Sequence, residues 1–110
     1  MDQVKAHPNL STPQLEGVAS LFKLLGEPMR LRILQTICAQ ERCVGEIVEL
    51  TGATQPNVSK HLALLVLNGV VDRRKDGQRV IYSLKNPLVT RLCEMVCSSM
   101  DSLLPRHRRF

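Results

Sequence analysis

Residues 54–65 read Thr-Gln-Pro-Asn-Val-Ser-Lys-His-Leu-Ala-Leu-Leu, and they are the most informative part of the sequence. Its apolar residues recur at a helical spacing, which predicts one buried stripe formed by Val58, Leu62, Leu65 and Val66. Thr54 is a suitable N-cap, and Pro56 fits the first turn because its missing N–H needs no partner there. Asn68-Gly69 marks the end of the helix.

The polar residues of the same stretch predict a helix that lies in the major groove of DNA. Their side chains are of the types that reach base edges and phosphates. The predicted DNA contacts from this helix are Thr54, Gln55, Asn57, Ser59, Lys60 and His61. The sequence leaves two roles possible for His61: contact with a phosphate, or packing within the domain. An ordinary amphipathic surface helix would show the same stripe, so the residues that follow must decide between the two interpretations.

Two β-prone runs, 70–74 and 79–84, flank Lys75-Asp76-Gly77-Gln78. Asp-Gly between alternating runs is a strong signal for a β-hairpin. The predicted tip is basic and presents Arg73, Arg74, Lys75 and Arg79 to phosphates. A helix followed by such a hairpin predicts a winged helix-turn-helix, a mainly α fold with a small β-hairpin.

The charge distribution favours double-stranded DNA as the partner. The chain has 15 Lys and Arg against 10 Asp and Glu. Residues 54–91 hold seven of the basic residues and two of the acidic ones, so the rest of the chain is electrically balanced. An excess of positive charge on the predicted major-groove helix and on the hairpin is the pattern expected for a protein that binds the phosphate backbone of DNA. Aromatic residues make up only 3% of the chain, which argues against stacking on single strands.

A chain of 110 residues is one domain at most. We expect a flexible N-terminus over residues 1–11, a winged helix-turn-helix domain for DNA binding and dimerisation over 12–104, and a basic tail over 105–110. Helices are predicted from a cap at Ser11 or Thr12, after Glu27-Pro28, over about 44–50 and over about 88–104. The first and last helices keep apolar stripes that the core does not use, and these predict a homodimer. Twofold pairing would place two reading helices about 34 Å apart on an inverted repeat.

The sequence indicates a cytoplasmic protein with no membrane partner. No apolar run reaches the roughly 18 residues that span a bilayer, and the N-terminus lacks a signal-peptide core. In that compartment the four cysteines are expected to be reduced. No nucleophile–base pair and no phosphate-binding loop is visible, so the chain is not expected to be an enzyme.

Five blocks of the sequence resemble the ArsR/SmtB family, small bacterial winged-helix repressors that release DNA on binding a metal ion or on another signal. The blocks fall between residues 15 and 100: Leu25-Gly-Glu-Pro-Met-Arg-Leu-Arg-Ile-Leu, Val44-Gly-Glu-Ile, Gln55-Pro-Asn-Val-Ser-Lys-His-Leu-Ala-Leu-Leu, Gly69-Val-Val and Gly77-Gln-Arg-Val-Ile-Tyr-Ser-Leu. The resemblance implies a dimer whose protomers each have five helices and a β-wing.

The resemblance also implies where sensing sites would lie. One family site begins the third helix with a Cys-Val-Cys pattern, and this chain has Cys43-Val44-Gly45, so one thiol is missing. A second family site on the last helix binds harder ions such as zinc through carboxylates and histidines. The corresponding residues here are Asn86, Leu88, Ser99 and Ser102, which do not make a zinc set. Both sites are therefore incomplete.

The cysteines remain as candidate effector residues. Cys93 and Cys97 are spaced i, i+4 on the predicted last helix, so they share one face at about 5–6 Å between Cβ atoms. That spacing suits thiolates that hold As(III) or another thiophilic metal ion, or a dithiol that reacts with oxidants, although an unbroken helix strains a disulfide there. Within the resemblance, a bond from Cys38 to Cys93 or Cys97 would match redox and persulfide sensors. For each cysteine, Cys43 included, the ordinary alternative is a small, often buried, hydrophobic residue.

The sequence therefore predicts a DNA-binding transcriptional repressor that releases its operator on a thiol-sensed signal. A soft metal or metalloid such as As(III) is the first choice of effector, and no cofactor is obligatory. A repressor that senses redox or reactive sulfur species through a cysteine pair is the alternative. A DNA-binding module with no small-molecule effector is the third hypothesis.

Overall fold

The computed structural model describes residues 9–103, with side chains up to Ser99. It contains five helices and a three-stranded antiparallel sheet. The elements in chain order are α1 (Thr12–Leu25), α2 (Pro28–Cys38), β1 (Arg42–Cys43), α3 (Val44–Thr51), α4 (Gln55–Leu67), β2 (Val71–Asp76), β3 (Arg79–Leu84) and α5 (Pro87–Leu103). Most of the expected N-terminal segment and the basic tail lie outside the described residues. Within the described part, no helix is long and apolar enough to cross a membrane.

Local capping sets where the helices begin. Ser11 Oγ accepts the N–H of Gln14 at 3.2 Å, and Gln14 Oε1 accepts the N–H of Ser11 at 2.8 Å, which together form a capping box. Thr54 Oγ1 accepts the N–H of Asn57 at 3.3 Å and begins α4. These caps satisfy backbone donors that have no partner inside the helix. The caps predicted at Ser11 and Thr54 are confirmed.

The core lies where α2, α3 and α4 meet the base of the sheet and the start of α5. Its least exposed side chains are Ile33, Leu34, Ile47, Val58, Leu62, Leu65, Val70, Val71 and Val89. The predicted stripe of α4 is confirmed, with Val58, Leu62 and Leu65 fully buried and Val66 half-buried. Because the hydrophobic face of α4 is enclosed, its opposite face is held at a fixed orientation on the surface.

Strands β2 and β3 form the predicted wing, but its connection is shorter than the sequence suggested. Asp76 pairs with Arg79, so only Gly77 and Gln78 lie between the strands. Gly77 has φ 68°, while Gln78 has no positive φ. A positive φ at only the first central residue fits a type II′ turn, which matches the twist of the strands.

The sequence analysis missed strand β1. Arg42 pairs with Tyr82 and Cys43 pairs with Ile81, so β3 is the central strand of the sheet. The two residues carry no alternating pattern of their own, and their partners lie far along the chain. This short strand joins the start of α3 to the wing.

Candidate DNA interface and cysteine cluster

The exposed face of α4, the recognition helix, carries most of the predicted DNA contacts. Thr54, Gln55, Ser59 and Lys60 are exposed, and Asn57 is half-buried. They lie opposite the buried stripe, in the first two turns of the helix. Hydrogen-bonding groups at the start of a well-anchored helix are arranged as a major-groove reader requires. Their contacts with DNA remain predictions.

His61 is the exception, because it faces the core instead of the solvent. Its side chain is 6% exposed, and its Nδ1 accepts a hydrogen bond from Arg30 Nε at 3.2 Å. Burial lowers the pKa of His61, the nearby charge of Glu27 opposes that effect, and the positive charges of Arg30 and Lys60 reinforce it. His61 therefore packs against the core, and the predicted DNA contact of this side chain is wrong.

The register of the wing divides its four predicted basic contacts into two pairs on opposite faces. Arg73 is opposite Tyr82 and Lys75 is opposite Val80, on the face that turns toward the recognition helix. Arg73 and Tyr82 line a groove there together with Ser59, Ala63, Val66 and Leu67. Arg74 and Arg79 belong to the other face, because successive residues of a strand alternate.

The second pair of wing arginines contacts acidic side chains of the same chain. Arg74 forms an ion pair with Glu41, and Arg79 lies 3.9 Å from Glu46. Exposed pairs of this kind contribute little to stability, but they reduce the positive charge that faces a phosphate. Among residues 9–99, whose side chains the structure describes, Arg73 and Lys75 form no ion pair, whereas Arg74 and Arg79 are partly neutralised.

Cys43 belongs to the wing side of the molecule. It is the N-cap residue of α3, and its backbone N–H donates to Glu46 Oε1 at 2.9 Å. A hydrogen bond from Arg79 lowers the pKa of the Cys43 thiol. The sequence analysis did not find Glu46 as a partner, although its place three residues after a helix N-cap is the spacing of a capping box.

The other three cysteines converge where α2 meets α5, and we call Cys38, Cys93 and Cys97 the cysteine cluster. Cys38 is the last residue of α2, and Cys93 and Cys97 lie one turn apart on α5. Cys38 and Cys93 are near enough to change each other's pKa, and the charge of Cys97 affects the pKa of both. All three are free thiols, with Cys97 exposed and the other two half-buried.

The pKa of each half-buried thiol of the cluster is raised. Burial raises the pKa of Cys93 to about 11, with the neighbouring sulfurs of Cys38 and Cys97 adding to the effect. Burial also raises the pKa of Cys38, but the hydrogen bond from Cys93 opposes the rise. Both thiols are therefore protonated at neutral pH.

A groove of about 410 Å³ runs beside the cluster, between α2 and α5. Its lining is mostly apolar but includes a guanidinium and an amide, and consists of Pro28, Leu31, Arg32, Gln35, Cys93, Val96 and Cys97. Within residues 9–103, no three His, Cys, Asp or Glu side chains lie close enough together to hold a metal ion. The sequence analysis did not place Arg32 and Gln35 at this site, because only the packing of two distant helices brings them there.

The outer faces of α1 and α5 are apolar and exposed. Phe22 is 59% exposed and Met95 is 61% exposed, and Leu15, Val18 and Val96 are exposed beside them. An apolar groove of about 240 Å³ lies between these helices and α2. Apolar surface of this kind on a small domain usually marks an interface, so the terminal helices are the candidate dimer surface.

Comparison with known proteins places the fold in a class. Residues 27–73 match the bacterial regulatory protein, arsR family. A probable mercury resistance operon repressor from Streptomyces lividans is 41% identical over 88 residues, which cover 79% of this chain and 70% of that protein. Reduced HlyU from Vibrio cholerae N16961 has a similar structure, with a TM-score of 0.72 and 31% identity over 76% of this chain and 87% of that one.

A second solved structure shows the same architecture in a homodimer. The winged helix-turn-helix DNA-binding domain of Mb0332 from Mycobacterium bovis, a possible ArsR-family transcriptional regulator, has a TM-score of 0.75 and 30% identity. The match covers 94% of this chain and 99% of that one. The fold and these matches thus define a winged helix-turn-helix DNA-binding regulator.

The chain belongs to the ArsR family and is a transcriptional repressor of that family. The predicted fold class and the resemblance noted from the five sequence blocks are both confirmed. What this particular repressor senses is a separate question.

Proposed function

We propose that this repressor releases DNA when a thiophilic species reacts with the cysteine cluster. The observation that carries the proposal is the convergence of Cys38 on α2 with Cys93 and Cys97 on α5, the last two of which line the groove between these helices. Because α5 is also the candidate dimer helix, a bond formed at the cluster would favour one arrangement of the two protomers. Only such a difference in affinity between arrangements can change the binding of DNA.

A soft metal or metalloid such as As(III) is the first candidate effector. Thiolates are the ligands that soft ions prefer, and the relative from Streptomyces lividans is described as a probable mercury resistance operon repressor. The described residues hold no preformed group of three donors. An ion that takes three thiolates would therefore have to draw Cys97 toward the Cys38–Cys93 pair. That movement of α5 against α2 would be the conformational change, and binding would release thiol protons.

Redox sensing is the second candidate, and the proximity of Cys93 on α5 to Cys38 on α2 favours it specifically. The Cys38 thiolate would attack a peroxide oxygen and form a sulfenic acid. The Cys93 thiol would then attack that sulfur, with loss of water, and leave a disulfide between α2 and α5. The peroxide accepts the two electrons that the thiols lose, so the step is balanced.

On the DNA side, we propose that two protomers pair through α1 and α5 and hold an inverted repeat. The two recognition helices would enter successive major grooves about 34 Å apart. Thr54, Gln55, Asn57, Ser59 and Lys60 would read bases and phosphates, and the wing cations would contact the backbone. Because a transcriptional repressor acts where its DNA lies, we expect this one to act in the cytoplasm.

A release assay on single cysteine variants tests the proposal. The DNA is a duplex that the wild-type protein selects from a randomised library, called the selected duplex below. The wild type and the Cys38→Ser, Cys93→Ser, Cys97→Ser and Cys43→Ser variants are titrated on it. Arsenite with a reductant tests the metalloid form, and peroxide or polysulfide without a reductant tests the redox form.

The two forms predict different patterns. In the metalloid form, serine at any position of the cluster weakens release by arsenite, and a sulfur-to-arsenic absorbance band appears with the wild type. In the redox form, Cys38→Ser and Cys93→Ser abolish release by the oxidant, and Cys97→Ser retains it. Cys43→Ser is the matched control, because it removes a thiol on the wing side only. If all four variants responded like the wild type, the repressor would have no thiol-sensed effector.

A further inference from the structure

Arg30 lies near the start of α2, and Cys38 is at the other end of this helix. The Arg30 side chain links α2 to α1 and to α4. Its Nε donates to Nδ1 of His61 on the recognition helix at 3.2 Å, and its terminal NH1 group donates to the carbonyl oxygen of Leu24 in α1 at 3.1 Å. Its own backbone N–H donates to Glu27 Oε1 at 3.1 Å. A single half-buried guanidinium therefore fixes the recognition helix relative to the junction of α1 and α2.

The spacing of His61 places it on the buried face of α4, where it is the one polar residue among apolar ones. It lies three residues after Val58 and four before Leu65, and it is buried with them. The apolar members hold this face of the helix against the core, but their contacts are not directional. A hydrogen bond is directional, because it weakens steeply when its angle changes.

We propose that the hydrogen bond from Arg30 to neutral His61 positions the recognition helix for DNA binding. His61 itself does not touch DNA in this arrangement, and Lys60 and Ser59 beside it project to the DNA side. A small rotation of α4 would misplace Gln55 and Asn57 while leaving the apolar core closed. The bond therefore acts on DNA recognition more than on folding.

The bond exists only while Nδ1 of His61 carries no proton. Protonation would turn the acceptor into a donor and set two positive charges, Arg30 and Lys60, beside the imidazolium, with Glu27 as the one opposing charge. Burial lowers the pKa of His61 from its ordinary value of 6.5. The contact is therefore intact above pH 6.5 and is lost as the pH falls through the lowered pKa.

Four proteins test the proposal: the wild type, His61→Asn, His61→Leu and Arg30→Met. Asparagine places Oδ1 close to the position of Nδ1, so it accepts the same bond but does not titrate. Leucine removes the acceptor, and methionine removes the donor while keeping an unbranched side chain. Affinity for the selected duplex and for a random duplex is measured between about pH 8 and about pH 5, together with thermal unfolding.

At pH 8 we expect His61→Asn to bind the selected duplex like the wild type, and His61→Leu and Arg30→Met to bind it about tenfold more weakly, as loss of a hydrogen bond to a charged group implies. Their affinity for the random duplex should change much less. Toward pH 5 the wild type should lose preference for the selected duplex relative to His61→Asn. The proposal is overturned if the wild type and His61→Asn share one pH profile. It is also overturned if His61→Leu and Arg30→Met lose only thermal stability. Neither outcome depends on an effector, so a failed thiol proposal would leave this test unaffected.

Discussion

The recognition helix and α5 lie in one small domain but differ in how firmly they are held. Three side chains of α4 have no solvent exposure, whereas Val89 is the only residue of α5 that is buried among its described side chains. The outer surface of α4 is polar, and that of α5 is apolar. The protomer alone therefore orients the proposed DNA-binding surface, while two of the three cysteines of the cluster lie on a helix that the protomer holds less firmly.

A charge on the outer face of α1 tests this difference most strongly. Phe22→Glu places a carboxylate on a side chain that is 59% exposed in the protomer, so the protomer should still fold. The dimer should not form, because burying an unpaired charge is costly. Affinity for the selected duplex should fall at least about a hundredfold, since the two half-sites are no longer bound together. Sedimentation and DNA titration measure the two effects.

Leu50→Glu is the matched control for that variant. Leu50 is 56% exposed, but it lies on α3, away from the terminal helices. This variant should sediment as a dimer. A dimeric Phe22→Glu protein would move the interface elsewhere and would remove the reason for the exposed apolar face of α5.

Gln55 tests whether the firmly held helix reads bases. An amide at this place can pair with an adenine edge, so Gln55→Ala should relax preference at one operator position by about 1–3 kcal/mol. Selection of duplexes by the variant, followed by titration of single-base changes, measures the effect. A uniform loss across all sequences would instead assign Gln55 to the phosphate backbone.

The two faces of the wing provide a smaller effect. Arg73→Ala should weaken binding to the selected and random duplexes alike by about fivefold. It should also reduce the slope of log affinity against log salt concentration by about 0.9, as expected for one lost phosphate contact. Glu41→Gln should strengthen binding slightly, because it frees the guanidinium of Arg74. Equal losses for Arg73→Ala and Arg74→Ala would show that the partner carboxylates do not matter.

The smallest predicted effect concerns the acidity of the cluster. The pKa of Cys93 is raised from 9.0 to about 11 in the folded protein. The stability that this group contributes is present below pH 9 and is lost as the pH rises through 11, because the unfolded thiol ionises first. Thermal unfolding at about pH 8 and about pH 10 should show a larger loss for the wild type than for Cys93→Ser. Equal losses would contradict the burial of this thiol.

The sequence predicted the recognition helix and the wing because their signals are local. A stripe at helical spacing, caps at Ser11 and Thr54 and an Asp-Gly turn each act within a few residues. His61 was left open between DNA and packing, although its spacing from Val58 and Leu65 matches the buried face. Side-chain type suggested a DNA contact, but position within the helix decided the outcome.

The features that the sequence did not reveal depend on residues far apart in the chain. Strand β1 forms only because β3 passes beside it, and the ion pairs of the wing follow from that register. Cys38 meets Cys93 only because α2 packs on α5. At the level of the sequence, only the family resemblance suggested this pairing. Spacing alone pointed to Cys93 and Cys97, whereas the structure also brings Cys38 next to Cys93.

We propose that the recognition helix reads DNA and that the cysteine cluster controls the release of DNA. The most direct measurement is the affinity of the Cys38→Ser/Cys93→Ser double variant for the selected duplex, with and without arsenite, and with and without polysulfide. We predict an affinity within about twofold of the wild type and no response to either reagent, while the wild type loses at least about tenfold, or about 1.4 kcal/mol, with one of them. A double variant that still released DNA, or that had lost its affinity before any reagent was added, would contradict the separation of the two regions.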